Sequence, residues 1–509
     1  MSDGYFKPHL PDFSEEQLAN LISAVKDYQI THGSLLKLVK TDEEHTVLSR
    51  PVGASLYPTQ FPRHLFDIAL HLQTCFNKLY MKVAEDEEWL RDTLSDLIVH
   101  DQLTKILWSI HEEVKKSGYV QPASLGIFRS DYMVHRPGSA TAQLKQVEFN
   151  SYTVAGGTHG NIVYNMHHHL FRSGAYKRPD EISPQLAIPP IPSTNETVHG
   201  IVDGLVEAHK LYGPPVNAQA VGTGILMIVQ PYNFNICDER PIEYELWGQQ
   251  PPIPCHRVAF SDEILLYLSL GPNRELLYTR HPYNQSPLEI SVCYMRGGHE
   301  PREYSASGGR AARLHLERSR AIKAPSLLAH LTTYKRVQQR LSMPGQLEHF
   351  LHPSEAAAIK STFIPMYTLD DSPEGAAGRA LATSPEAVGG YIMKPSLEGG
   401  GHNTYGHDIL NKLRLVPQIE WRNCILMEKI QTPVQEGMLM SLAGLYQGPV
   451  VSELGVFGTC LWKKRESGGA EIFENRQSGW SFKTKPAQVN EMSVVKGYGC
   501  FDTPFLVDI

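Results

Sequence analysis

A lysine, a glutamate and a run of glycines follow a short apolar segment late in the chain. The segment Tyr391 to Met393 has the composition of a buried strand, and Lys394 follows it directly. Glycines 399–401 expose backbone N–H groups without side chains, as phosphate oxygens require. Lys394 can bring a positive charge to the same phosphates, and Glu398 can hold a magnesium ion that bridges them. The combination predicts nucleotide binding, although it matches neither the Walker A nor the Rossmann pattern.

Two further apolar segments end on charged residues. "NCILMEK" ends on Glu428 and Lys429, and "GPVVSELG" reaches Glu453. Charges near strand ends carry a desolvation cost unless they meet a ligand or a counter-charge. Ligands of open α/β sheets bind at such ends. The three charged ends therefore favour a ligand site at the ends of these strands.

An earlier part of the chain predicts a β-hairpin with two oxygen ligands. Residues 125–150 contain two alternating segments separated by the turn-forming "RPGS". Side chains alternate along a strand, so Glu148 and Asn150 share one face and Val147 and Phe149 share the other. Carboxylate and amide oxygens suit Mg²⁺. By itself, this pair is typical of the exposed face of a hairpin. With Glu398 as a third oxygen ligand, it predicts a magnesium site.

The elements that must position these residues belong to an α/β protein. Ser14-Glu15-Glu16-Gln17 is a capping-box pattern that opens a helix, and a second helical stretch begins near His64. From about residue 222, apolar strands alternate with helices, which is typical of a parallel α/β layer. The chain length allows several domains. The predicted parts are an N-terminal part with helices and the hairpin, an α/β substrate-binding domain, and a C-terminal part with the glycine-rich loop and a lid: residues 1–221, 222–325 and 326–509.

Composition excludes several classes of partner. The 509-residue chain has a net charge of −7 and no Lys/Arg block, so nucleic-acid binding is not expected. The apolar run Ile225–Val229 is too short to cross a membrane, and the N-terminus lacks the apolar core of a signal peptide. Seven scattered cysteines without a CxxC pair predict no disulfide framework. We expect a cytoplasmic protein without membrane partners.

Other polar groups favour ordinary structural roles. His167, His168 and His169 are adjacent on a helix and therefore point in different directions, so we expect a surface or dimer contact. We expect Asp238 and Glu239 to form ion pairs on the surface of a helix. The cysteines lie in apolar runs, where thiols are usually inert, and no pattern indicates nucleophilic catalysis.

Taken together, the motifs resemble those of eukaryotic glutathione synthetases, in the same order and over nearly the whole chain. They are "FRSDYMV", "KQVEFN", "FNICDER", "LERSRAIKAP", "KRVQQ", "MKPSLEGGGHNTYG", "ILMEKI", "SELGVFG" and "KTK". The resemblance implies an ATP-grasp fold with an inserted α/β substrate-binding domain and an N-terminal helical region. It also implies a homodimer that joins γ-glutamylcysteine to glycine with ATP and magnesium, through an acyl phosphate.

Roles carry over from the family to the residues that match its motifs. The implied catalytic residues are Arg129, Lys394 and Arg296, and the implied magnesium ligands are Glu148, Asn150 and Glu398. The implied nucleotide-binding residues are Met133, Lys335, Lys394, Gly399, Gly400, Asn403, Tyr405, Met427, Lys429, Ile430, Glu453 and Lys485. The implied substrate-binding residues are Arg129, Thr153, Asn235, Glu239, Arg296, His299, Lys483, Val494 and Val495.

The substrate positions depart from the family pattern. "SYTVAGG" is one residue shorter than the family's "TISASFGG" and places Thr153 and Ala155 where serines stand. Glu239 replaces a glutamine, His299 a tyrosine and Lys483 an arginine, whose bidentate fork a lysine cannot reproduce. The lid "MSVVKG" is bulkier than the family's "GGVAAG".

These departures favour a glutathione synthetase-like ligase with a changed acid or amine, acting in specialised metabolism. The alternatives are glutathione synthesis itself, a non-catalytic ATP-binding paralogue, and a phosphotransferase on the same scaffold. For the changed ligase and for glutathione synthesis, the small-molecule substrates would be a carboxylate and an amine.

Overall fold

The computed structural model shows a mixed α/β protein, which confirms the predicted class. It describes residues 5–7, 9–38, 48–177, 190–279, 286–305, 308–396 and 402–509. The α-helices of these residues, α1 to α17 in chain order, are Glu15–His32, Arg63–Glu85, Glu87–His100, Gln102–Ser117, Gly157–Arg172, Thr197–Tyr212, Ile236–Trp247, Glu263–Tyr267, Pro301–Ser305, Gly309–Arg318, Leu327–Leu331, Lys335–Leu341, Gln346–Phe350, Pro353–Lys360, Pro373–Thr383, Asp408–Leu415 and Gln418–Trp421. Their β-strands, β1 to β21, are Leu35–Leu38, Leu48–Pro51, Ala54–Ser55, Thr59–Pro62, Ala123–His135, Gln143–Asn150, Thr223–Val229, Cys255–Ala259, Leu268–Leu270, Leu276–Tyr278, Leu288–Met295, Ile322–Ala324, Met366–Thr368, Tyr391–Pro395, Thr404–Tyr405, Cys424–Glu428, Gln435–Ser441, Gly444–Lys464, Ala470–Pro486, Cys500–Asp502 and Pro504–Val507.

A large sheet, with 13 strands in the described part of the chain, forms the centre of the molecule. Its main path is β17-β3-β20-β19-β18-β5-β12-β11-β10-β9, with β6 on β5 and β7 joining β11 to β8. The strands β7, β8, β11 and β12 pair in parallel, as the alternation of strands and helices after residue 222 predicts. Because β12 also pairs with β5, this unit continues the sheet that contains β18 and β19. The division into three domains stays a prediction.

Helices cover both faces of the large sheet. On one face α2 packs Phe76 and Tyr80 against Phe149 of the β5–β6 hairpin, and the rings of Tyr80 and Phe149 stack with centroids 3.6 Å apart. On the other face α6 packs Leu205 against Phe457. Phe149 and Phe457 are both buried. The stacked ring fixes the hairpin and with it the direction of its polar side chains.

A second, four-stranded sheet has the order β13-β16-β14-β15. On one face, Met393 and Leu426 pack with Ile409 and Leu413 of α16. Side chains alternate along a strand, so Lys394, next to Met393, lies on the opposite face. That face is left to line a cavity.

The first helix begins and ends as its sequence predicts. Ser14 and Gln17 form the capping box, with the N–H of Gln17 3.2 Å from the Ser14 hydroxyl, and Gly33 ends the helix in the left-handed conformation. Among the described residues, none of the helices combines the length and apolarity that a membrane crossing requires.

Asp502 links four strands through a buried carboxylate. It accepts hydrogen bonds from the hydroxyls of Ser55 on β3, Thr59 on β4 at 2.6 Å and Thr484 on β19 at 2.6 Å. The backbone N–H of Thr503 adds a fourth at 2.7 Å. Burial raises the pKa of Asp502 from 3.8 to about 6, against the lowering effect of these donors.

We expect Asp502 to lower the stability of the fold as pH rises. Its carboxyl ionises in the unfolded chain near pH 3.8 but in the folded protein only near pH 6. Between these values the folded state binds more protons, so the free energy of unfolding falls with rising pH, by about 3 kcal/mol in total. Urea unfolding of the wild type and of Asp502→Asn at a series of pH values measures this. The wild type should lose stability relative to the variant across the window; a constant difference contradicts the expectation.

Candidate active site

One cavity of about 1660 Å³ lies between the two sheets and collects every described residue that was predicted for the site. Its walls come from the β5–β6 hairpin, the open face of the four-stranded sheet, β18, β19 and the segments around residues 230–239 and 487–496. The predicted residues that line it are Arg129, Met133, Glu148, Asn150, Thr153, Asn235, Glu239, Arg296, His299, Lys335, Lys394, Asn403, Tyr405, Met427, Lys429, Ile430, Glu453, Lys483, Lys485, Val494 and Val495. The predicted Glu398, Gly399 and Gly400 lie outside the described residues.

Glu148 is the centre of a cluster of charges on the cavity wall. Its Oε2 atom lies 3.1 Å from Nζ of Lys335, and 26% of its side chain is exposed to the cavity. Burial alone would raise the pKa of Glu148, but the charges of Lys335, Lys394 and Arg129 outweigh burial and lower it. The ammonium group of Lys394 donates to the carbonyl of Val147 at 2.9 Å, and burial lowers its pKa. An ionised carboxylate thus stands among three cations.

A β-bulge decides which hairpin side chains face the cavity. The pairing of β5 and β6 shifts register and leaves Val147 without a partner, while the N–H of Gln146 donates to the carbonyl of Thr362 at 2.8 Å. Glu148 and Asn150 share the cavity side, as predicted. Val147, predicted for the opposite side, also contributes to the cavity lining, beside the bulge that leaves it without a partner on β5.

Asp131 belongs to this site, and sequence reasoning missed it. Arg129 grips its carboxylate with two N–H groups, at 2.6 Å from Nε and 2.7 Å from Nη2. The amide nitrogen of Asn150 donates to the same carboxylate at 3.2 Å. This leaves the amide oxygen of Asn150 as its ligand atom. A signal was present in the sequence, since Arg129 and Asp131 are two residues apart and therefore share a strand face.

The donor set fits a magnesium ion that is shared with phosphate. Glu148 and Asn150 supply a carboxylate and an amide oxygen on one wall, and Mg²⁺ in proteins is commonly held by one or two carboxylates together with substrate phosphates. The described residues hold no group of three or more His, Cys, Asp or Glu side chains that would bind a metal without such a ligand.

The charged residues of the three late strands line one cavity, as a ligand site there requires, but they do not lie at one end of a common sheet. β14 and β16 are antiparallel, with Tyr391 opposite Glu428 and Lys394 opposite Ile425. Their charged ends therefore lie at opposite ends of the strand pair. Glu453 lies inside β18 of the other sheet. These charges line one cavity because two sheets face each other across it.

The four-stranded sheet gives the cavity an apolar wall. Ile392 lies opposite Met427 on the neighbouring strand, and Met133 and Ile430 line the same space. Lys429 stands at the end of this wall and donates to the carbonyl of residue 389 at 2.9 Å. An apolar slot that ends in lysines fits a purine ring with attached phosphates.

Other residues predicted to contact nucleotide are bonded within the chain. The ammonium group of Lys485 donates to the carbonyls of Val489 at 2.5 Å and Asn490 at 2.7 Å, and burial lowers its pKa. The amide of Asn403 donates to the Tyr405 hydroxyl at 3.4 Å. Lys485 therefore holds the segment that leads into the predicted lid, residues 492–497.

Glu239 is a buried carboxylate shared by two arginines. Its Oε1 accepts from Nε of Arg296 at 3.2 Å, and its Oε2 pairs with Arg257. Neighbouring Asp238 lies 3.4 Å from Arg296 and accepts the N–H of residue 156 at 2.9 Å, at the start of α5. The expectation of helix-surface ion pairing for Asp238 and Glu239 is wrong, since α7 packs against α5 and β8. Arg257 was not foreseen from the sequence.

The loop between β6 and α5 contacts both predicted catalytic arginines. Arg296 donates to the carbonyl of Val154, and Nη1 of Arg129 donates to that of Ala155 at 2.7 Å. Thr153 has φ +46°, a left-handed conformation that is rare for a β-branched residue. Such strain occurs where surrounding contacts hold a functional segment in place.

Lys483 and Glu453, predicted to contact different ligands, pair with each other. They are direct partners on β19 and β18, and Nζ lies 2.5 Å from Oε1. Burial raises the pKa of Glu453 in spite of the lysine. The sequence could not reveal this pair, because strand register joins residues 30 positions apart.

Asn235 and His299 lie on the substrate side of the cavity. Oδ1 of Asn235 is 3.0 Å from the ring nitrogen of His159, and Nε2 of His299 is 3.4 Å from the amide nitrogen of Gln230. Val494 and Val495 belong to a short turn of the lid segment.

His167 is part of the core, not a surface or dimer contact as expected. Its ring bonds to the Thr503 hydroxyl at 2.8 Å and to the carbonyl of Ser55 at 3.0 Å, and burial lowers its pKa to about 4. All seven cysteines are described and free, in agreement with the prediction of no disulfide framework.

The comparisons with known proteins agree with this geometry. A family model described as "Eukaryotic glutathione synthase, ATP binding domain" matches residues 15–506. The chain is 33% identical to the glutathione synthetase large chain of Schizosaccharomyces pombe over 501 residues, 96% of this chain and 97% of that protein. It is 33% identical to human glutathione synthetase over 499 residues, 97% of this chain and 98% of the relative. The solved structure of a glutathione synthetase-like effector from Globodera pallida superposes with a TM-score of 0.73 at 21% identity, over 98% of this chain and 100% of that one. The predicted ATP-grasp fold is confirmed.

Proposed function

The chain belongs to the eukaryotic glutathione synthase family, and from that premise we propose what its cavity does. Enzymes of this family are ATP-dependent ligases that form C–N bonds. We propose that this chain joins a carboxylic acid to an amine, with ATP and magnesium bound in the half of the cavity around Glu148, Lys335 and Lys394.

The cluster around Glu148 is the observation that carries this proposal. A carboxylate with a lowered pKa and the lysines Lys335 and Lys394, both mostly buried, face one cavity. Buried charges of this kind are costly unless they meet a counter-charge or a charged ligand, and here two lysines share one glutamate. A triphosphate with a bound divalent cation supplies the matching charges. The apolar wall around Ile392 and Met427 provides space for the base.

Two displacements make up the proposed reaction. An oxygen of the acid's carboxylate attacks the γ-phosphorus, the bond from that phosphorus to the β–γ bridging oxygen breaks, and ADP leaves. The amine nitrogen then attacks the acyl carbon, phosphate leaves with the bonding electron pair, and the nitrogen loses its proton to solvent or phosphate. Magnesium bound at Glu148 and Asn150 would neutralise charge on the phosphate oxygens.

The chain's own part is to position the reactants and to stabilise charge. Lys335 and Lys394 hold the phosphate oxygens, which need stabilisation as the γ-phosphoryl group transfers. Arg129, fixed by Asp131, orients the attacking carboxylate with its remaining N–H groups. The segment held by Lys485 is placed to close over the site and exclude water.

We propose further that the acid or amine differs from the family's usual pair. Support comes from Glu239 and Lys483, which pair with Arg257 and Glu453 and stand where the family pattern has glutamine and arginine. Specialised metabolism is the setting that fits such a change. Glutathione synthesis is the second candidate, because relatives about one-third identical over nearly the whole chain carry that name.

A turnover assay separates these candidates. Purified protein is given ATP, magnesium, γ-glutamylcysteine and glycine, and ADP release and glutathione formation are measured. We expect little turnover with this pair, but ADP release with another acid and amine from a mixed panel. Turnover comparable to human glutathione synthetase assayed alongside would overturn the altered-substrate proposal and keep the ligase. A stable phosphorylated acid would indicate a phosphotransferase, and no ADP release with any pair would indicate a non-catalytic paralogue.

The remaining proposals concern assembly and location. We propose a homodimer, as the family resemblance implies, which sedimentation of the purified protein tests. We propose action in the cytoplasm, since seven free cysteines suit a reducing compartment.

A further inference from the structure

The cations predicted to bind substrate carboxylates are already paired with carboxylates of the chain. The pairs are Arg129–Asp131, Arg296–Glu239 and Lys483–Glu453, with N···O distances of 2.6, 3.2 and 2.5 Å. A further N–H of each arginine is bound by a backbone carbonyl, of Ala155 and Val154 respectively. The positive charge in this half of the cavity is therefore largely neutralised before any substrate enters.

Among the described residues, the ion pairs connected to Arg129, Arg296 and Lys483 balance in charge. The ten residues that form them carry five positive and five negative charges: Arg129, Arg240, Arg257, Arg296 and Lys483, with Asp131, Asp238, Glu239, Glu243 and Glu453. A second carboxylate on the substrate would lose its water without gaining an unpaired cation from this set. Such burial is strongly disfavoured.

Aromatic side chains occupy the same side of the cavity. Tyr232 and Phe234 line it and are 77% and 37% exposed. Their loop is held in place, because the Asn233 side chain accepts the N–H of Asn235 at 3.0 Å and donates to Glu239. The carbonyl of Phe234 also accepts a backbone hydrogen bond at 2.9 Å from residue 37. A fixed loop that presents apolar rings to a cavity is suited to an apolar ligand group.

We infer that the acid substrate is uncharged and apolar or aromatic at the end remote from its reacting carboxylate. That end lies against Tyr232 and Phe234, and the reacting carboxylate lies toward Arg129. The inference rests on the proposed ligase function and names the class of acid that this cavity takes. An acid with a second carboxylate at the remote end is discriminated against.

Binding of two matched acids tests the inference independently of turnover. The acids are γ-glutamylcysteine and N-(3-phenylpropanoyl)cysteine. In the second acid, a phenyl ring replaces the α-carbon of the glutamyl group together with its amino and carboxylate groups. Each is titrated calorimetrically into protein with magnesium and a non-hydrolysable ATP analogue. We expect the phenyl acid to bind about ten- to a hundredfold more tightly, as burial of one ring predicts. Equal or weaker binding of the phenyl acid, or binding of neither, overturns the inference. Failure of the ligase itself shows separately, as absence of ADP release with every acid and amine.

Two substitutions locate the preference. Tyr232→Ala should remove most of the preference for the phenyl acid, whereas Tyr244→Ala should leave it unchanged. Tyr244 is a matched control, because it is 65% exposed on α7 and lies outside the cavity lining. Equal effects of the two variants contradict the placement of the apolar group.

Glu239→Gln tests the charge pairing. The substitution removes one carboxylate from Arg296, so γ-glutamylcysteine should bind about tenfold more tightly to the variant. Glu245→Gln, which removes a carboxylate paired with His199 on the outer side of the same helix, should have no such effect. An unchanged affinity for γ-glutamylcysteine in Glu239→Gln contradicts the inference.

Discussion

Replacing Lys394 with methionine is expected to lower kcat/KM for ATP-dependent ligation by about 10²- to 10³-fold. The side chain is 3% exposed and contributes its charge beside Glu148 on the cavity wall. In the proposed reaction it stabilises the phosphoryl group as charge develops during transfer. Methionine keeps the length and apolar stem of the lysine and removes only the charge, so packing against β16 should persist. Steady-state ADP release at saturating magnesium measures the effect.

Lys412→Met is the matched control for this experiment. Lys412 lies on α16, which packs against the four-stranded sheet, donates to the Thr404 hydroxyl at 3.2 Å and lies outside the cavity lining. We expect it to retain wild-type turnover. A loss confined to Lys394→Met, with an unchanged thermal midpoint, supports the phosphate role. Equal turnover in Lys394→Met and the wild type would remove Lys394 from the mechanism.

Much of the site was predictable because short sequence patterns determine its strands and the faces on which its side chains lie. The hairpin of residues 125–150 alternates strongly enough to place Glu148 and Asn150 on one face, and the structure has both on the cavity wall. The strand before Lys394 and the parallel strands after residue 222 follow from apolar runs of the right length. The capping box at Ser14 needs only four residues to be recognised.

What escaped prediction depends on contacts between distant parts of the chain. The bulge that leaves Val147 without a partner on β5 lies beside a hydrogen bond from the N–H of Gln146 to Thr362, more than 200 residues away. Antiparallel pairing places Lys394 and Glu428 at opposite ends of their strand pair, which the apolar runs alone do not show. No local pattern specifies a bulge or the direction of a neighbouring strand.

The substrate side shows the same limit in its electrostatics. From the sequence, Glu239 is an extra negative charge beside an anionic substrate. In the structure Arg257, on the neighbouring strand β8, neutralises it. Glu239 also pairs with Arg296, so the substitution reduces the positive charge that Arg296 can offer to a substrate. The type of a residue does not show whether its charge is already paired within the protein or available to a substrate.

Glu148→Gln is expected to abolish measurable ligation, a loss of about 10³-fold or more, because it removes a metal-binding carboxylate from the reacting phosphates. The same change leaves Lys335 and Lys394 without their nearest counter-charge, so magnesium-free ATP should bind the variant at least as tightly as it binds the wild type. Opposite directions for nucleotide binding and turnover distinguish a metal ligand from a merely structural carboxylate, whose loss would weaken both. Calorimetric titration of ATP without magnesium, and ADP release against magnesium concentration, give the two readouts.

Glu436→Gln, which changes an exposed carboxylate on β17, serves as the control and should alter neither nucleotide binding nor turnover. A variant that keeps the wild-type magnesium dependence would exclude Glu148 as a ligand, and with it the proposed location of the triphosphate.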